Sequence, residues 1–514
     1  MLHPAVALLL AVVVGLVMHR VDAVQHRWKT LDHLIDGLPA ALVAVLFLVL
    51  LALTGRPVIS LLLVAGGTVL LSVVNRLKRQ LFHEPIVFLD AALCMQVIRH
   101  PGFYVPYLFP PPVLLGGLLL TGGLAWLWTQ EPAVHAGWRW LAVTALGIGA
   151  AVVAQLGVIF LPSRREAAVP LLEQYPPTLD ANEDFARFGL LASLVLHGLW
   201  HVHLRGREGR PGVPRFEDGA RSQPMQHAPV CSAHAPHLVL VQAESFFDIR
   251  RHLPTAPASL LSNLDTLRQP EHGGTGGPFL VQTHGAYTMR TEFSVLTGLP
   301  LHTLGTDAFN PYFTASRRPV WSLAWALQQA GYRTACIHPF YLSFFRRNRV
   351  LPHLGFQELH GIETFADAPH CGPYVSDAAL AEAVLRWLAA SSEPAFVFVI
   401  TMEAHGPWKP GRLPGGETAM DVYLQHLQHT DAMFGRLARG LQDLERPAWL
   451  CGYGDHVGCL PEATGGKAAA RVRDAIVPTD WLLWSSRPEI CPPLPAQHAV
   501  RPEALGALLR QVAG

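Results

Sequence analysis

The chain is poor in charge: 15% of its 514 residues are charged, and 39 Lys and Arg against 38 Asp and Glu leave a net +1. That balance removes any whole-chain electrostatic case for nucleic acid or for an acidic partner. Its seven cysteines contain no Cys-x-x-Cys pair and no zinc-finger spacing, and their odd number excludes a complete disulfide framework. Cys451 and Cys459 bracket a motif discussed below and could pair. Nothing charged precedes the first apolar run and no small-residue cleavage site follows it, so it does not read as a signal peptide. Internal repeats and low-complexity tracts are also lacking.

Apolar length is what the chain has, with half of its residues hydrophobic. Runs at 4–19, 38–54, 57–75, 104–128 and 140–161 each approach the roughly 17–25 residues that cross a hydrocarbon core. They predict about five transmembrane helices within residues 1–161. The segment Asn75-Arg76-Leu77-Lys78-Arg79, with Glu84-Pro85 and Asp90, reads as amphipathic and interfacial. Residues 162–236 are rich in Pro, Arg, Glu and Gly, as a linker is. Within them Phe188 to Trp200 is apolar but short, and predicts an interfacial helix. Five spans starting inside place the Arg- and Lys-rich loops outside, against the positive-inside tendency. Six spans starting outside obey it. Either count puts the C-terminal domain outside.

From His237 the pattern changes to α/β. Short apolar runs at 237–242, 334–337, 395–400, 449–452 and 481–484 (with Ile476) alternate with helical patterns at 320–330, 377–389 and 421–444. That alternation predicts a mostly parallel central sheet, in a domain spanning 237–514. Ligands in such folds collect where strand C-termini open into loops.

The residues after those strands are therefore the candidates for chemistry. Glu244 follows the first strand, His338 the second, Glu403 and His405 the third, and Asp455-His456 the fourth. A Gly-bearing turn, His284 to Tyr287, delivers Thr288 and Thr291 to a short helical run. A hydroxyl at a helix N-terminus sits in positive potential that stabilises a developing alkoxide, though the same residue also serves as an ordinary cap. Glu244, Asp455 and His456 with the Thr288 oxygen would make an oxygen-rich, one-nitrogen site for Mn²⁺, Mg²⁺ or Zn²⁺. Spacing does not choose between Thr288 and Thr291. The run Phe344-Phe345-Arg346-Arg347-Asn348-Arg349 reads as a solvated face or as one guanidinium aimed at phosphate.

Taken together, several ordered motifs resemble the lipoteichoic acid synthase family, the phosphoglycerol transferase branch of the alkaline phosphatase and sulfatase superfamily. They are Ala243-Glu244-Ser245, Thr288 with Thr291-Glu292-Phe293 and Val295-Leu296-Thr297-Gly298, His338-Pro339, Arg347-Asn348 with Leu354-Gly355-Phe356, His405, and Tyr453-Gly454-Asp455-His456. The resemblance covers about 237–485 well and the membrane part loosely. It implies a multi-pass protein of the bacterial cytoplasmic membrane with an external, periplasm-side catalytic domain. It implies Thr288 as the nucleophile that takes phosphoglycerol from phosphatidylglycerol, through a phosphothreonine, and passes it to a glycan or lipid acceptor. Glu244, Thr288, Asp455 and His456 would hold one divalent metal, commonly manganese or magnesium. Arg347 and His405 would bind the phosphoglycerol group, with Phe345 as an aromatic wall and His405 also a candidate acid. Relatives often carry Trp-Asn before the arginine where this chain has Phe345-Arg346, which leaves the headgroup and acceptor open. Thr288-Met289-Arg290-Thr291 lacks the Cys-x-Pro-x-Arg pattern of a sulfatase nucleophile. A phosphoethanolamine transferase and a non-catalytic lipid-sensing protein are the remaining alternatives.

Overall fold

A computed structural model describes residues 2–23, 33–91, 111–134, 169–205, 235–459, 478–490 and 498–513, with isolated positions between 99 and 147. The chain divides into two compact units, Met1–Val213 and Pro214–Gly514.

In the first unit, α1 (Pro4–Ala23), α2 (His33–Thr54) and α3 (Pro57–Phe82) are long and apolar enough to cross a membrane. They correspond to the first three expected spans. The fourth expected span is described from α4 (Pro111–Gln130) onward, and most of the fifth lies outside the described residues. Pro57 starts α3, where its missing N–H costs nothing. The Glu131 carboxylate accepts the next two amides, Val58 N (2.7 Å) and Ile59 N (3.0 Å).

The segment expected along the interface instead folds back on the end of α3. Lys78 is buried and donates to Asp90 Oδ2 and to the Pro85 carbonyl, both at 2.6 Å, while Asn75 Oδ1 accepts Ile86 N. The stretch expected as a linker contains Val169–Gln174, α5 (Ala181–Phe188) and α6 (Leu190–Arg205). The buried carboxylate of Asp184 on α5 meets His197 Nε2 of α6 at 2.7 Å. At 16 residues, α6 is short for a span.

The second unit is built on a seven-stranded sheet in the order β2-β9-β8-β1-β7-β3-β4. The strands are β1 (His237–Ala243), β2 (Gly274–Phe279), β3 (Arg333–Ile337), β4 (Glu358–His360), β7 (Ala395–Ile400), β8 (Ala448–Gly454) and β9 (Thr479–Ser485). A separate hairpin pairs β5 (His370–Cys371) with β6 (Tyr374–Val375). β8, β1, β7, β3 and β4 run parallel, and β9 and β2 add antiparallel pairings at one side. Every residue of β1, β7 and β8 is buried, as central strands covered on both faces require.

Helices α9 (Asp377–Ala389) and α10 (Ala419–Gln442), which follow the shorter α7 (Thr288–Thr297) and α8 (Arg347–His353), pack on one face through Leu380, Val384, Leu427, Phe434 and Leu437. Ser376 caps α9, and a reciprocal Thr418–Asp421 capping box starts α10. α11 (Pro502–Val512) packs against α7.

Candidate active site

Two strand ends and one helix start build the site. Glu244 leaves β1, Asp455 and His456 leave β8, and Thr288 is the first residue of α7. All four are buried. Gly454 allows the close approach of the β1 and β8 ends, because a Cβ there would sit 1.7 Å from the Phe246 carbonyl oxygen. Four of the six non-glycine residues with positive φ among those described stand around this region: Ser245, Tyr287, Phe345 and Arg346. Such backbone persists only where surroundings over-determine it, and it gathers at functional sites.

Donor atoms of Glu244, Asp455 and His456 lie within 4.8 Å of one another. His456 Nε2 is 3.6 Å from Glu244 Oε1 and 3.3 Å from Asp455 Oδ2. Asp455 Oδ1 accepts the backbone amides of Ser245 and His456, each at 2.9 Å. Its other oxygen, Oδ2, is buried with no hydrogen-bond partner. Burial, followed by the charge of Glu244, pushes the Asp455 carboxyl above the usual carboxylate range, while His456, the Ser245 amide and, least, the Thr288 side chain pull the other way.

Two adjacent buried carboxylates, an orphaned oxygen and an imidazole form a donor set that fits one divalent cation. The chemistry of the set does not choose among manganese, magnesium and zinc.

Thr288 and Thr291 now separate. Thr291 Oγ1 donates to the backbone carbonyl of Asp455 (2.9 Å) and also meets Thr283 Oγ1, so it braces the loop. Thr288 instead lies close enough to the Asp455 carboxylate to draw its pKa down.

The three residues expected to bind substrate lie in two different environments. His405 and Phe345 are half-buried. His405 Nδ1 donates to the Gly406 carbonyl (2.8 Å), so its neutral ring carries the lone pair on Nε2. Burial lowers its pKa, with Glu244 opposing, which keeps the ring neutral near pH 7. Tyr374 from the hairpin packs edge-on against it at 5.9 Å.

Arg347 is only 2% exposed. It binds Glu292 through Nη2–Oε2 at 2.8 Å and Nε–Oε1 at 3.3 Å, and its Nη1 donates to His338 Nε2 at 3.2 Å. His338 Nδ1 in turn donates to the Ile400 carbonyl, which fixes a neutral tautomer. Tyr312 O–H and Gln242 Nε2 complete the shell around Glu292. The structure therefore places the Arg347 guanidinium inside a buried network, one helical turn along α7 from Thr288.

Cys451 and Cys459 form no disulfide with each other, and Cys451 is buried within β8, which answers the pairing that the sequence left open.

Ser245, Tyr423 and Thr401 were not foreseen as supports. Ser245 Oγ donates to Glu244 Oε1 (2.8 Å), Tyr423 O–H to the Ser245 carbonyl (2.6 Å), and Glu244 N to Thr401 Oγ1 (2.9 Å). Of these, only Ser245 sits in a motif visible in sequence.

Residues 236–487 match the sulfatase family. A capsular polysaccharide biosynthesis protein of Rhizobium meliloti (strain 1021), RkpI, is 31% identical over 437 residues, covering 81% of this chain and 77% of the relative. A candidate cyclic beta-1,2-glucan modification protein of the same strain is 26% identical over 253 residues, 46% of this chain and 38% of that protein. Among solved structures, the integral membrane lipooligosaccharide phosphoethanolamine transferase A of Neisseria meningitidis aligns with a TM-score of 0.54 over 99% of this chain and 95% of its own, at 12% identity. At that identity the likeness is one of fold, apolar helices followed by a mostly parallel sheet. With a matching domain and a relative similar over most of both chains, this protein belongs to the sulfatase family, within the alkaline phosphatase and sulfatase superfamily.

Proposed function

We propose that the protein is a membrane-anchored, metal-dependent phosphoglycerol transferase, moving the headgroup of phosphatidylglycerol to a hydroxyl of a glycan outside the cytoplasmic membrane. The observation that carries this reading is the Thr288 hydroxyl at the N-terminus of α7, beside the Asp455 carboxylate, one of whose oxygens is buried without a hydrogen-bond partner. A threonine in that position supports phosphoryl transfer rather than sulfate ester hydrolysis, whose nucleophile is made from a Cys-x-Pro-x-Arg pattern missing here. The motifs around Thr288, His405 and Asp455-His456 favour the phosphoglycerol branch. The two rhizobial relatives, named for polysaccharide and glucan work, favour a glycan acceptor over a lipid one.

Glu244, Thr288, Asp455 and His456 would hold a divalent metal, which when bound supplies positive charge for phosphoryl oxygens and a lowered hydroxyl pKa. The chain's own residues do the rest. Thr288 Oγ1 attacks phosphorus in line, the bond to the diacylglycerol oxygen breaks, and phosphothreonine forms. The acceptor hydroxyl then attacks phosphorus and frees Thr288. A neutral His405 is suited to take that hydroxyl's proton on Nε2 and to hold the phosphoglycerol group, beside Phe345. Arg347, bound to Glu292, is assigned to positioning: it anchors α7 beneath the nucleophile.

The test is release of labelled diacylglycerol from phosphatidylglycerol or phosphatidylethanolamine by the purified protein with Mn²⁺, Mg²⁺ or Zn²⁺. Phosphatidylglycerol should be consumed, and Thr288→Ala should lower the rate by at least about 10³-fold. Consumption of phosphatidylethanolamine alone would replace the donor with a phosphoethanolamine headgroup. If wild type consumes neither lipid with any of these metals, the transferase reading fails.

A further inference from the structure

Outside the catalytic cluster, a second group of metal-competent side chains comes together from three parts of the chain. Cys371 lies on the β5–β6 hairpin, Glu403 on the loop after β7, and His426 and His429 on α10. A spacing of three places the two imidazoles on one face of the helix. One donor atom from each of the four residues lies within 4.8 Å of the others.

Glu403 Oε1 is the centre of the group, 2.9 Å from His426 Nδ1 and 2.6 Å from His429 Nδ1, and Cys371 Sγ is 3.5 Å from His429 Nδ1. Neighbouring ligands of a tetrahedral zinc with Zn–N and Zn–S bonds of about 2.0–2.3 Å sit roughly 3.3–3.7 Å apart. The quartet is thus within about 0.7 Å of a coordination shell at the measured contacts.

Hydrogen bonding alone does not account for the cluster. A second carboxylate, Asp377, stands against the first: its amide donates to Glu403 Oε2 (2.7 Å), and its own Oδ1 is buried without a partner. His426 Nε2 is likewise buried and unpartnered. Burial and the charge of Glu403 raise the Asp377 carboxyl, whereas His426 and His429 hold Glu403 low against its burial. Burial and the same Glu403 charge push the Cys371 thiol up to about 12. Two acids, a thiol and two imidazoles are crowded together, with no lysine or arginine bonded to the Glu403 carboxylate among the described contacts.

We propose that Cys371, Glu403, His426 and His429 form a second metal site, closed by four protein donors and suited to Zn²⁺. A thiolate, a carboxylate and two neutral imidazoles neutralise the dication, and the thiol proton leaves to solvent on binding. Four protein ligands with no open position make a structural site rather than a catalytic one. His429 is about half exposed and gives the ion a way in.

The consequence reaches the active site through short covalent links. Glu403 is two residues from His405, and Cys371 is three from Tyr374, the ring packed on His405. Arg412 locks the same corner, donating to the carbonyls of Glu403 (2.8 Å) and His405 (2.6 Å). The metal would pin the hairpin, α10 and the His405 loop together.

Cobalt substitution tests this without reference to turnover. The full-length protein in detergent, stripped with chelator and reloaded with Co²⁺, should show the near-ultraviolet thiolate-to-cobalt absorption. The band should vanish in Cys371→Ser and persist in Asp455→Asn and in Cys459→Ser. Bound cobalt should fall by one equivalent in Cys371→Ser. If Cys371→Ser does not fold, His429→Gln, at a half-exposed position, should weaken the Co²⁺ affinity read from that band at least tenfold. A wild type with no thiolate band, a band that survives Cys371→Ser, a band lost in Cys459→Ser, or an unchanged affinity in His429→Gln overturns the proposal.

Discussion

Two His-and-carboxylate clusters lie among the described residues of this domain, and they differ in what they leave open. Glu244, Asp455 and His456 are three donors at two strand ends, and in the proposed function the hydroxyl of Thr288 takes the fourth place beside them. Cys371, Glu403, His426 and His429 complete four places among themselves, on a hairpin, a loop and a helix. A metal site that does chemistry keeps a position for a reacting group, and one that holds a fold together does not. The first cluster has a hydroxyl at a helix N-terminus, the proposed nucleophile; the second has a cysteine whose thiolate would be consumed in coordination. The same residue types thus acquire different roles from the elements that deliver them.

Asp455→Asn gives the sharpest division between the two. It removes one charge from the open cluster and leaves the closed one intact. Loss of the bound cation and of the carboxylate that meets Thr288 should lower turnover by about 10⁴-fold, about 5.5 kcal/mol of barrier. His429→Gln should change turnover by less than about tenfold, because its cluster touches the reaction only through the His405 loop. Diacylglycerol release by both variants, measured at saturating Mn²⁺, checks the pair. Equal losses would mean that the two clusters are one functional unit.

The next effect concerns what supports the open cluster from below. Glu292→Gln leaves the Arg347 guanidinium buried beside His338 with no counter-charge. Breaking a buried pair on one side costs about 4 kcal/mol. Denaturant unfolding of the catalytic unit should show that loss. A change under about 1 kcal/mol would show that water reaches the pair, and Arg347 would then be available to a phosphate after all.

Much of the open cluster was legible because each member sits at the end of an apolar run that reads as a strand. β1, β3, β7, β8 and β9 were all visible that way, and Glu244 and Asp455-His456 follow directly from β1 and β8. β2 was not, since Gly-Thr-Gly-Gly-Pro-Phe carries turn residues: a Cβ at Gly274 would meet the Leu267 carbonyl oxygen at 1.7 Å, so close packing and not propensity selects glycine. The environment of Arg347 was hidden for another reason. An arginine run reads as surface or ligand, and only tertiary contact shows Glu292 and His338 waiting for one of its members. The closed cluster draws on 371, 403 and 426–429, and no local pattern links them. Glu403 was visible as a residue following a strand, and the three-residue spacing of His426 and His429 lies within the helical stretch 421–444.

The smallest effect offers a reference outside both clusters, at the opposite end of β1 from Glu244. His237 is buried, accepts the Ala395 amide on Nδ1, and has its pKa lowered to about 4 by burial and by Arg446. An unfolded histidine titrates near 6.5. Between those values the unfolded chain binds a proton that the folded chain does not, so stability is full above about pH 6.5 and falls as the pH drops toward 4. The loss attributable to this group is at most about 3 kcal/mol. His237→Gln removes the titration, and its melting temperature should fall less than that of wild type between pH 6.5 and 4.5. Because both clusters stay intact in this variant, the acid sensitivity that persists belongs to the other buried titratable groups, those of the two clusters among them. If the two melting curves shift in parallel, His237 is protonated in the folded state and the burial argument at this end of the strand is wrong.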